Sequence, residues 1–338
     1  MSCPIICEIS TKNLIANANA VRTLVQKRKV YAVVKADAYG HGLVGVSNAL
    51  YNVVDGFCVS LAREALDLRI AGIDKEILLL IPAVKEDLER LISHNVTLTV
   101  CSKIDLLSVI DVCSKLKKQA FIHVKLNTGM NRLGLDSVNA LSEILTIASK
   151  SQFIEISGAF SHLGNPADKK YSKRQLENFK NLSTYIKNYN PNATLHLSAS
   201  GGIALGKDYL FDAVRVGIML YGYCPNKFYK NLFKPVMKVY AKTVCVRDNL
   251  NGENLLYGSK KYYKKSVTLI RLGYADGFFR KGCKAEPPLC MDISAVDGKF
   301  LSDYVLVMDN AQTLAKKHRT IVYEILTSCS KRAKIIYI

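Results

Sequence analysis

A lysine that directly follows an apolar run is the first residue of this chain whose position favours chemistry. The stretch AVVKADAYGHG, residues 32–42, includes most of the apolar run Tyr31–Val34, which predicts a buried strand. The two glycines around His41 favour a loop after it, so Lys35 lies at the carboxyl end of the strand. Such a lysine is most often solvated, but its amine can also form a Schiff base with an aldehyde.

Eight short apolar runs divide the first two thirds of the chain, and amphipathic segments such as 61–72 and 137–150 separate most of them. Strands that alternate with helices in this number favour an α/β fold with a (β/α)8 TIM barrel. No GxGxxG follows the first run, which weakens the alternative of a dinucleotide-binding sheet. The predicted strands cover residues 30–34, 55–60, 76–81, 97–100, 120–126, 154–160, 194–198 and 212–217.

From about Phe233 the pattern changes to strands joined by turns, with one helical segment at 310–318. We therefore expect a C-terminal mainly β domain after the barrel. The segments predicted as strands there are 236–246, 266–277 and 333–338. The expected domains are a barrel over residues 9–230 and a β domain over 231–338, which residues 1–8 can join.

In such a barrel the carboxyl ends of the strands face one opening, where chemistry is done. Glycine-rich backbone after the seventh and eighth strands commonly binds phosphate through its N–H groups. A lysine that faces a phosphate site suggests pyridoxal phosphate, which needs a lysine for its aldehyde and an anion site for its phosphate. The residues that the predicted strands place at this opening are Lys35, Lys125, Arg132, His162, Ser200, Gly201, Gly202, Arg215, Gly217 and Ile218.

Further motifs follow AVVKADAYGHG along the chain, namely KLNTGMNRLG, FSH, HLSAS, RVGIMLYG, LLYGS, GYADG, CMD and YEIL. These motifs occur in the order found in one family. The sequence resembles this family, the alanine racemases, which are pyridoxal-phosphate enzymes of fold type III. The likeness covers nearly the entire chain, and its first motif is strongly specific. It implies that Lys35 is the Schiff-base lysine of an enzyme that interconverts L-alanine and D-alanine and supplies D-alanine for peptidoglycan.

The resemblance also implies roles for further residues. Arg215 would hydrogen-bond the pyridine nitrogen, with His162 beside the cofactor ring and His196 supporting Arg215. Arg132 and the backbone of Met291 would hold the substrate carboxylate, and Tyr274 would narrow the substrate entrance. The residues implied to hold the cofactor phosphate are Tyr39, Ser200, Gly217, Ile218 and Tyr323, and those implied to support the substrate side are Lys125 and Asp292.

Racemisation removes the α-proton from one face and returns it on the other, so two bases on opposite faces are the simplest arrangement. The resemblance implies Lys35 for one face and Tyr257 for the other, with Tyr257 reaching the site of a neighbouring subunit in a homodimer. A tyrosine needs nearby cations to act as a base at neutral pH. An arginine such as Arg215 cannot readily give up its proton, which leaves the ring nitrogen unprotonated and a weaker electron sink.

Four departures from the family pattern affect the β domain or its approach to the site. Asn127 stands where aspartate is usual, and Ile293 replaces a glutamine. The connection over residues 278–289 is short, and the closing segment 330–338 lacks a proline-arginine pair. The loop around Asn127 should keep its fold with one charge fewer near Lys125.

Without the resemblance, simpler interpretations are available for several of these residues. Tyr39 and Tyr323 could be packed aromatics, and His94 and His123 match no motif and are expected to be structural. Arg215 on a strand would by default form a buried ion pair, for example with Asp212.

Several rival functions remain open. A racemase for serine or a broader set of amino acids is compatible with the motifs, whereas an amino-acid decarboxylase of the same fold normally has glutamate at the position of Arg215. From different classes, a non-catalytic pyridoxal-phosphate carrier would lack the second domain. A polyanion-binding protein would be driven by the formal charge of +19 and would show steep salt dependence.

Composition excludes several classes of protein. No basic stripe with interleaved aromatics predicts specific nucleic-acid binding, and no Cys or His spacing predicts a metal site. No window approaches the apolar length of a membrane span. The amino terminus lacks a signal-like segment, so we expect a cytoplasmic protein whose 10 cysteines are reduced.

Overall fold

A computed structural model describes residues 3–226, 228–257, 261–278 and 289–338. Its first strand, β1 (Ile5–Ile9), precedes eight strands that run parallel to one another. These are β2 (Lys29–Val33), β3 (Gly56–Val59), β4 (Glu76–Leu79), β5 (Leu98–Val100), β6 (Ala120–Lys125), β7 (Ile154–Phe160), β8 (Thr194–His196) and β9 (Ala213–Val216). The eight predicted strands of the first two thirds of the chain are therefore confirmed.

The eight parallel strands close into a barrel. They form two sheets with the orders β4-β3-β2-β9 and β5-β6-β7-β8. Backbone bridges from Leu78 to Thr97 and from Ala199 to Arg215 join the edges of the two sheets. The first and last strands, β2 and β9, pair directly. The predicted (β/α)8 TIM barrel is therefore confirmed.

Helices follow the strands because their apolar positions recur at helical spacing and polar residues cap their first turns. Ser102, Ser137 and Asp168 each accept a hydrogen bond from a backbone N–H of the helix that follows. Among the described residues, no helix is both long enough and apolar enough to cross a bilayer. The helices of the barrel half are α1 (Thr11–Val25), α2 (Lys35–Gly40), α3 (Leu43–Leu50), α4 (Ala62–Ile70), α5 (Leu88–Ser93), α6 (Lys103–Leu116), α7 (Val138–Ser149), α8 (Lys169–Tyr189) and α9 (Ser200–Ile203).

The rest of the chain forms a mainly β domain. Its strands are β10 (Met237–Asn254), β11 (Lys261–Ile270), β12 (Ser294–Asp297), β13 (Tyr304–Met308) and β14 (Lys334–Tyr337). They are arranged in the order β12-β11-β10-β1-β14, and β13 pairs with β10. β1 is antiparallel to β10 and parallel to β14, so the amino-terminal strand lies in this sheet.

Two helices interrupt the β domain, α10 (Ala311–His318) and α11 (Val322–Cys329), where the sequence analysis expects one. The expectation of a single helix is wrong, because Val322, Ile325, Leu326 and Cys329 form a buried helical stripe. Most of the short connection at 278–289 and the last two residues of the LLYGS motif lie outside the described residues.

The β domain contacts the barrel next to Lys35. The carbonyl oxygen of Leu326, on α11, lies where a Cβ on Gly40 would be, and Gly40 has a φ of +77°. The hydroxyl of Tyr337 donates a hydrogen bond to the carbonyl of His41 at 2.9 Å. Because these contacts lie at the end of α2, the β domain helps to hold the segment that carries Lys35.

Candidate active site

Lys35 begins a short turn of left-handed backbone at the carboxyl end of β2. The four residues that follow it, from Ala36 to Tyr39, have φ between 52° and 55°. This conformation costs about 1–2 kcal/mol for each non-glycine residue. Glu64 accepts a hydrogen bond from the Ala36 backbone at 2.6 Å, and Asp37 accepts one from the Leu43 backbone at 2.7 Å. Lys35 thus follows its strand as predicted, but the expected loop is wrong, since a hydrogen-bonded helical turn replaces it.

The environment of Lys35 favours a neutral amine. Its side chain is half-buried, and burial lowers its pKa, with the positive charge of Arg132 acting in the same direction. Glu64 and Cys58 oppose this shift as weaker influences. A neutral amine is the form that condenses with an aldehyde or accepts a proton.

A cradle for an anionic group lies beside this turn, formed by Tyr39, Ser200 and Gly217. The Ser200 hydroxyl is buried and accepts hydrogen bonds from the backbones of Gly217 at 3.3 Å and Met219 at 3.4 Å. The Tyr39 hydroxyl lies 2.6 Å from the place that a Cβ on Gly217 would occupy. The space therefore depends on glycine at 217, and it presents two hydroxyls and backbone N–H groups, which suits the phosphate of pyridoxal phosphate.

Two other predicted phosphate residues adjoin the cradle. The ring of Tyr323, on α11, lies 5.8 Å from the ring of Tyr39, and Tyr323 is 41% exposed. Ile218 directly follows Gly217 and is buried. Tyr39 also stacks on Tyr221 at 4.8 Å, so it packs against aromatic neighbours while its hydroxyl faces Gly217.

Arg215, on β9, is a buried cation whose hydrogen-bond acceptors are all neutral. Its guanidinium donates to Nδ1 of His196 at 2.6 Å and to the carbonyl of that residue at 2.9 Å. It also donates to the carbonyls of Ser161 at 2.6 Å and Leu197 at 3.1 Å. Burial lowers the pKa of Arg215 to about 10.

The alternative ion pair between Arg215 and Asp212 is wrong. Asp212 lies 3.1 Å from the ammonium of Lys187 and accepts a hydrogen bond from the backbone of Leu195. Within the described ranges, Arg215 forms an ion pair with no carboxylate.

Further cations and imidazoles surround Arg215. The Lys125 ammonium is buried and lies 4.1 Å from the centre of the Phe160 ring. Burial holds its pKa well below the usual range, with Arg215 and Arg132 as additional causes. Burial and the same cations lower the pKa of His162 to about 3. The site therefore combines strong positive potential with neutral imidazoles, which favours a bound anion.

Asn127 holds the loop between Lys125 and Arg132. Its side-chain oxygen accepts hydrogen bonds from the backbones of Gly129 at 3.1 Å and Asn131 at 3.0 Å. These contacts need an acceptor but no charge, which agrees with the expectation that asparagine at 127 keeps the fold of the loop. Arg132 itself is exposed at the end of the loop.

Apart from Tyr323, which adjoins the cradle, the predicted site residues of the β domain are exposed side chains or surface backbone in the single chain. Tyr257 is 67% exposed and Met291 is 53% exposed. Within the described ranges, Tyr257 forms no hydrogen bond or ring contact with the barrel. The Met291 carbonyl accepts a hydrogen bond from the Ala275 backbone at 3.0 Å, next to the exposed Tyr274. Asp292 pairs with Arg332 at 2.8 Å.

Comparison with known proteins gives the family of the chain. The model of the alanine racemase N-terminal domain matches residues 9–225, and that of the alanine racemase C-terminal domain matches residues 236–337. The chain belongs to the alanine racemase family. It is 34% identical over 285 residues to the alanine racemase of Streptococcus equi subsp. zooepidemicus, covering 82% of this chain and 77% of the relative.

Solved structures of alanine racemases have the same fold over the whole chain. The enzyme of Clostridium difficile 630 superposes with a TM-score of 0.92 at 30% identity, covering 100% of this chain and 96% of the other. The alanine racemase of Bartonella henselae with covalently bound pyridoxal phosphate gives a TM-score of 0.86 at 28% identity, covering 100% of both chains.

One contact of this alanine racemase family member was not anticipated from its motifs. Nδ1 of His123 lies 2.8 Å from Nε2 of His196. The other ring nitrogen of His196, Nδ1, accepts a hydrogen bond from Arg215. From the sequence, His123 is expected to be structural, because it matches no motif. The available signal is its position two residues before Lys125 on the same strand, because alternate residues of a strand share one face.

Proposed function

We propose that this chain is a pyridoxal-phosphate-dependent alanine racemase that moves the α-proton of alanine between two bases, Lys35 and Tyr257. One observation carries the proposal. Lys35, whose pKa is lowered, lies on the same turn as Tyr39, whose hydroxyl forms the anion cradle together with Gly217. Family membership supports the same activity.

The cradle and the buried arginine fit the two polar ends of pyridoxal phosphate. When bound, that cofactor supplies an aldehyde for a lysine amine and a ring that withdraws electrons from the substrate α-carbon. Ser200 and Tyr39 offer hydroxyls to the phosphate, Gly217 and Ile218 offer backbone N–H groups, and Tyr323 closes the outer side. His162 lies beside the ring.

Arg215 donates a hydrogen bond to the pyridine nitrogen in this proposal. It has only donors and keeps its proton at neutral pH, so the nitrogen stays an unprotonated acceptor. By keeping this nitrogen unprotonated, Arg215 would weaken the electron withdrawal that the cofactor supplies and so limit side reactions such as transamination. His196 holds the guanidinium in place.

The substrate carboxylate is held by Arg132 and the backbone N–H of Met291. Lys125 ends the strand that leads into the loop with Arg132 and supports that loop, and Asp292 pairs with Arg332 next to Met291. Tyr274 narrows the entrance. These residues of the β domain meet the barrel site only where two chains associate, so we include a homodimer in the proposal.

Exposure of Tyr257 supports the shared site. A tyrosine that is 67% exposed in one chain can reach the site of a partner, where Arg132 and Arg215 supply positive charge. There the Tyr257 hydroxyl exchanges a proton with one face of the α-carbon, and Nζ of Lys35 serves the other face. Each transfer needs the base within hydrogen-bond reach of the α-proton.

The proposed activity is tested by spectroscopy and by product formation. The purified protein should have a visible absorbance band that borohydride abolishes, and it should convert L-alanine to D-alanine faster than it converts L-serine to D-serine. Absence of the band, or turnover of serine alone, would contradict the proposal.

We also propose a cytoplasmic location, a barrel domain over 9–230 and a β domain over 231–338. The nine cysteines of the described residues are all free thiols, which agrees with a reducing compartment. Supply of D-alanine for peptidoglycan is tested by expression in a bacterium that requires added D-alanine. Growth without it is the expected result, and continued dependence would contradict this role.

A further inference from the structure

A line of polar contacts crosses the barrel core below Arg215. Nη1 of Arg215 lies 2.6 Å from Nδ1 of His196, and Nε2 of His196 lies 2.8 Å from Nδ1 of His123. Nε2 of His123 then lies 3.4 Å from Oε1 of Glu76, at the amino end of β4. The line therefore joins the buried guanidinium to a carboxylate at the opposite end of the barrel.

Each N–H along this line donates in the direction from Arg215 toward Glu76. A guanidinium only donates, so Nδ1 of His196 must accept and the ring carries its proton on Nε2. That N–H donates to Nδ1 of His123, which places the proton of His123 on Nε2, facing Glu76. Burial agrees with neutral rings, because it lowers the pKa of His123 to about 4 and holds the pKa of His196 well below the usual range.

Packing fixes both imidazole rings in this orientation. The ring of His196 stacks on Phe160 at 5.0 Å, with an angle of 8° between the planes. The ring of His123 occupies the space that a Cβ on Gly158 would take. These two contacts restrict the rotation of both rings.

Glu76 is anchored at the far end. The hydroxyl of Tyr31 is buried and donates to Oε2 of Glu76 at 2.7 Å. The carboxylate lies in a cavity of about 390 Å³ at the amino ends of the barrel strands, and the other charged residues that line this cavity are Lys29, Arg69, Asp74 and Glu155. Glu76 differs from these neighbours by its contact with His123.

We propose that Glu76 is a positioning residue for the racemisation, acting through His123 and His196 as the remote counter-ion of Arg215. It favours the same tautomers of both histidines that Arg215 requires, and so helps to hold the guanidinium in its orientation. This inference rests on the proposed function, in which Arg215 faces the pyridine nitrogen.

The experiment compares Glu76→Gln with Glu155→Gln, which removes the same charge from the same cavity without touching His123. Histidine tautomers are read by ¹⁵N NMR of histidine-labelled holoenzyme, with kcat, KM for alanine and the position of the cofactor absorbance band. Wild type should have His123 and His196 neutral, with both protons on Nε2. Glu76→Gln should keep the tautomers that Arg215 sets but weaken the hydrogen bond from the Nε2–H of His123. We expect a shifted ¹⁵N resonance of that nitrogen, a shifted band and a kcat about three- to tenfold lower, with KM little changed.

Tyr31→Phe is a milder second variant, because it removes only the hydroxyl that anchors Glu76, and it should shift the same readouts in the same direction. The inference is overturned if Glu76→Gln matches Glu155→Gln in the His123 Nε2 resonance, band and kcat, or if wild-type His196 carries its proton on Nδ1. A wild-type protein with the expected tautomers but without racemisation would instead contradict the proposed function.

Discussion

The hydroxyl oxygen of Tyr39 lies 2.6 Å from the position that a Cβ atom would take on Gly217. The two residues come from opposite ends of the barrel sequence, yet the pairing of β2 with β9 brings them together. Glycine at 217 thus leaves room for an anionic group between the hydroxyl and the backbone. The methyl group of an alanine at position 217 would fill this space.

Gly217→Ala should weaken the binding of pyridoxal phosphate by about tenfold or more, because the new methyl group collides with the Tyr39 hydroxyl. Titration of the apoprotein with cofactor, followed by absorbance, measures the effect. The double variant Gly217→Ala with Tyr39→Phe should lose less affinity than the sum of the single changes. Unchanged affinity in Gly217→Ala would show that the phosphate lies elsewhere.

Lys35→Ala should lose the visible band of the bound cofactor and the racemisation of alanine together, because the turn from Lys35 to Gly40 carries no other amine. The rate should fall by at least about 100-fold. Lys29→Ala is the matched control, since Lys29 begins the same strand at its other end and should leave both properties unchanged. A Lys35→Ala protein that keeps band and turnover would refute the assignment.

A mixture of two inactive variants tests whether Tyr257 acts in the partner's site. Lys35→Ala and Tyr257→Phe, mixed in equal amounts with complete subunit exchange, should recover about a quarter of wild-type activity. Half of the dimers are then mixed, and each rebuilds one of two sites. Exchange is verified with differently tagged chains. No recovery after verified exchange would mean that the tyrosine acts within its own chain or is not a base.

The sequence was sufficient for the parts of the site that barrel geometry brings together. The positions of Lys35, Ser200 and Arg215 after or on separate strands predict their convergence, because parallel strands end at one face of the barrel. Barrel geometry does not predict where Tyr257 acts, because this residue belongs to the β domain and is exposed in the single chain.

The left-handed turn from Ala36 to Tyr39 could not be predicted from local sequence. None of these four residues is a glycine, and the backbone is held by Glu64 and by contacts with the β domain. The line from Arg215 to Glu76 was missed for a similar reason. His123 and Glu76 lie on strands that meet only when the barrel closes, so no short motif contains both.

Buried neutral histidines should make stability fall in acid. Burial lowers the pKa of His41 to about 4, from an ordinary value of 6.5. The unfolded chain therefore binds more protons between these pH values, so the stability contributed by the neutral ring is present above about pH 6.5 and is lost as pH falls toward 4. At pH 5 the loss for this residue is about 2 kcal/mol.

Urea unfolding of the holoenzyme at pH 7.5 and pH 5 measures this loss. His41→Asn should reduce the difference between the free energies of unfolding at pH 7.5 and pH 5, whatever its effect on stability at pH 7.5. His94→Asn, at an exposed imidazole, should leave the difference as it is in wild type. An equal difference in all three proteins would contradict a neutral buried His41.

The most direct test of two bases on opposite faces is hydrogen exchange by Tyr257→Phe in D₂O, followed by proton NMR of L-alanine and D-alanine in separate samples. With Lys35 as the only remaining base, one enantiomer should exchange its α-hydrogen without inversion, the other should exchange far more slowly, and racemisation should fall by at least about 100-fold. Racemisation at the wild-type rate, or equal exchange of both enantiomers, would contradict the assignment of Tyr257 as the second base.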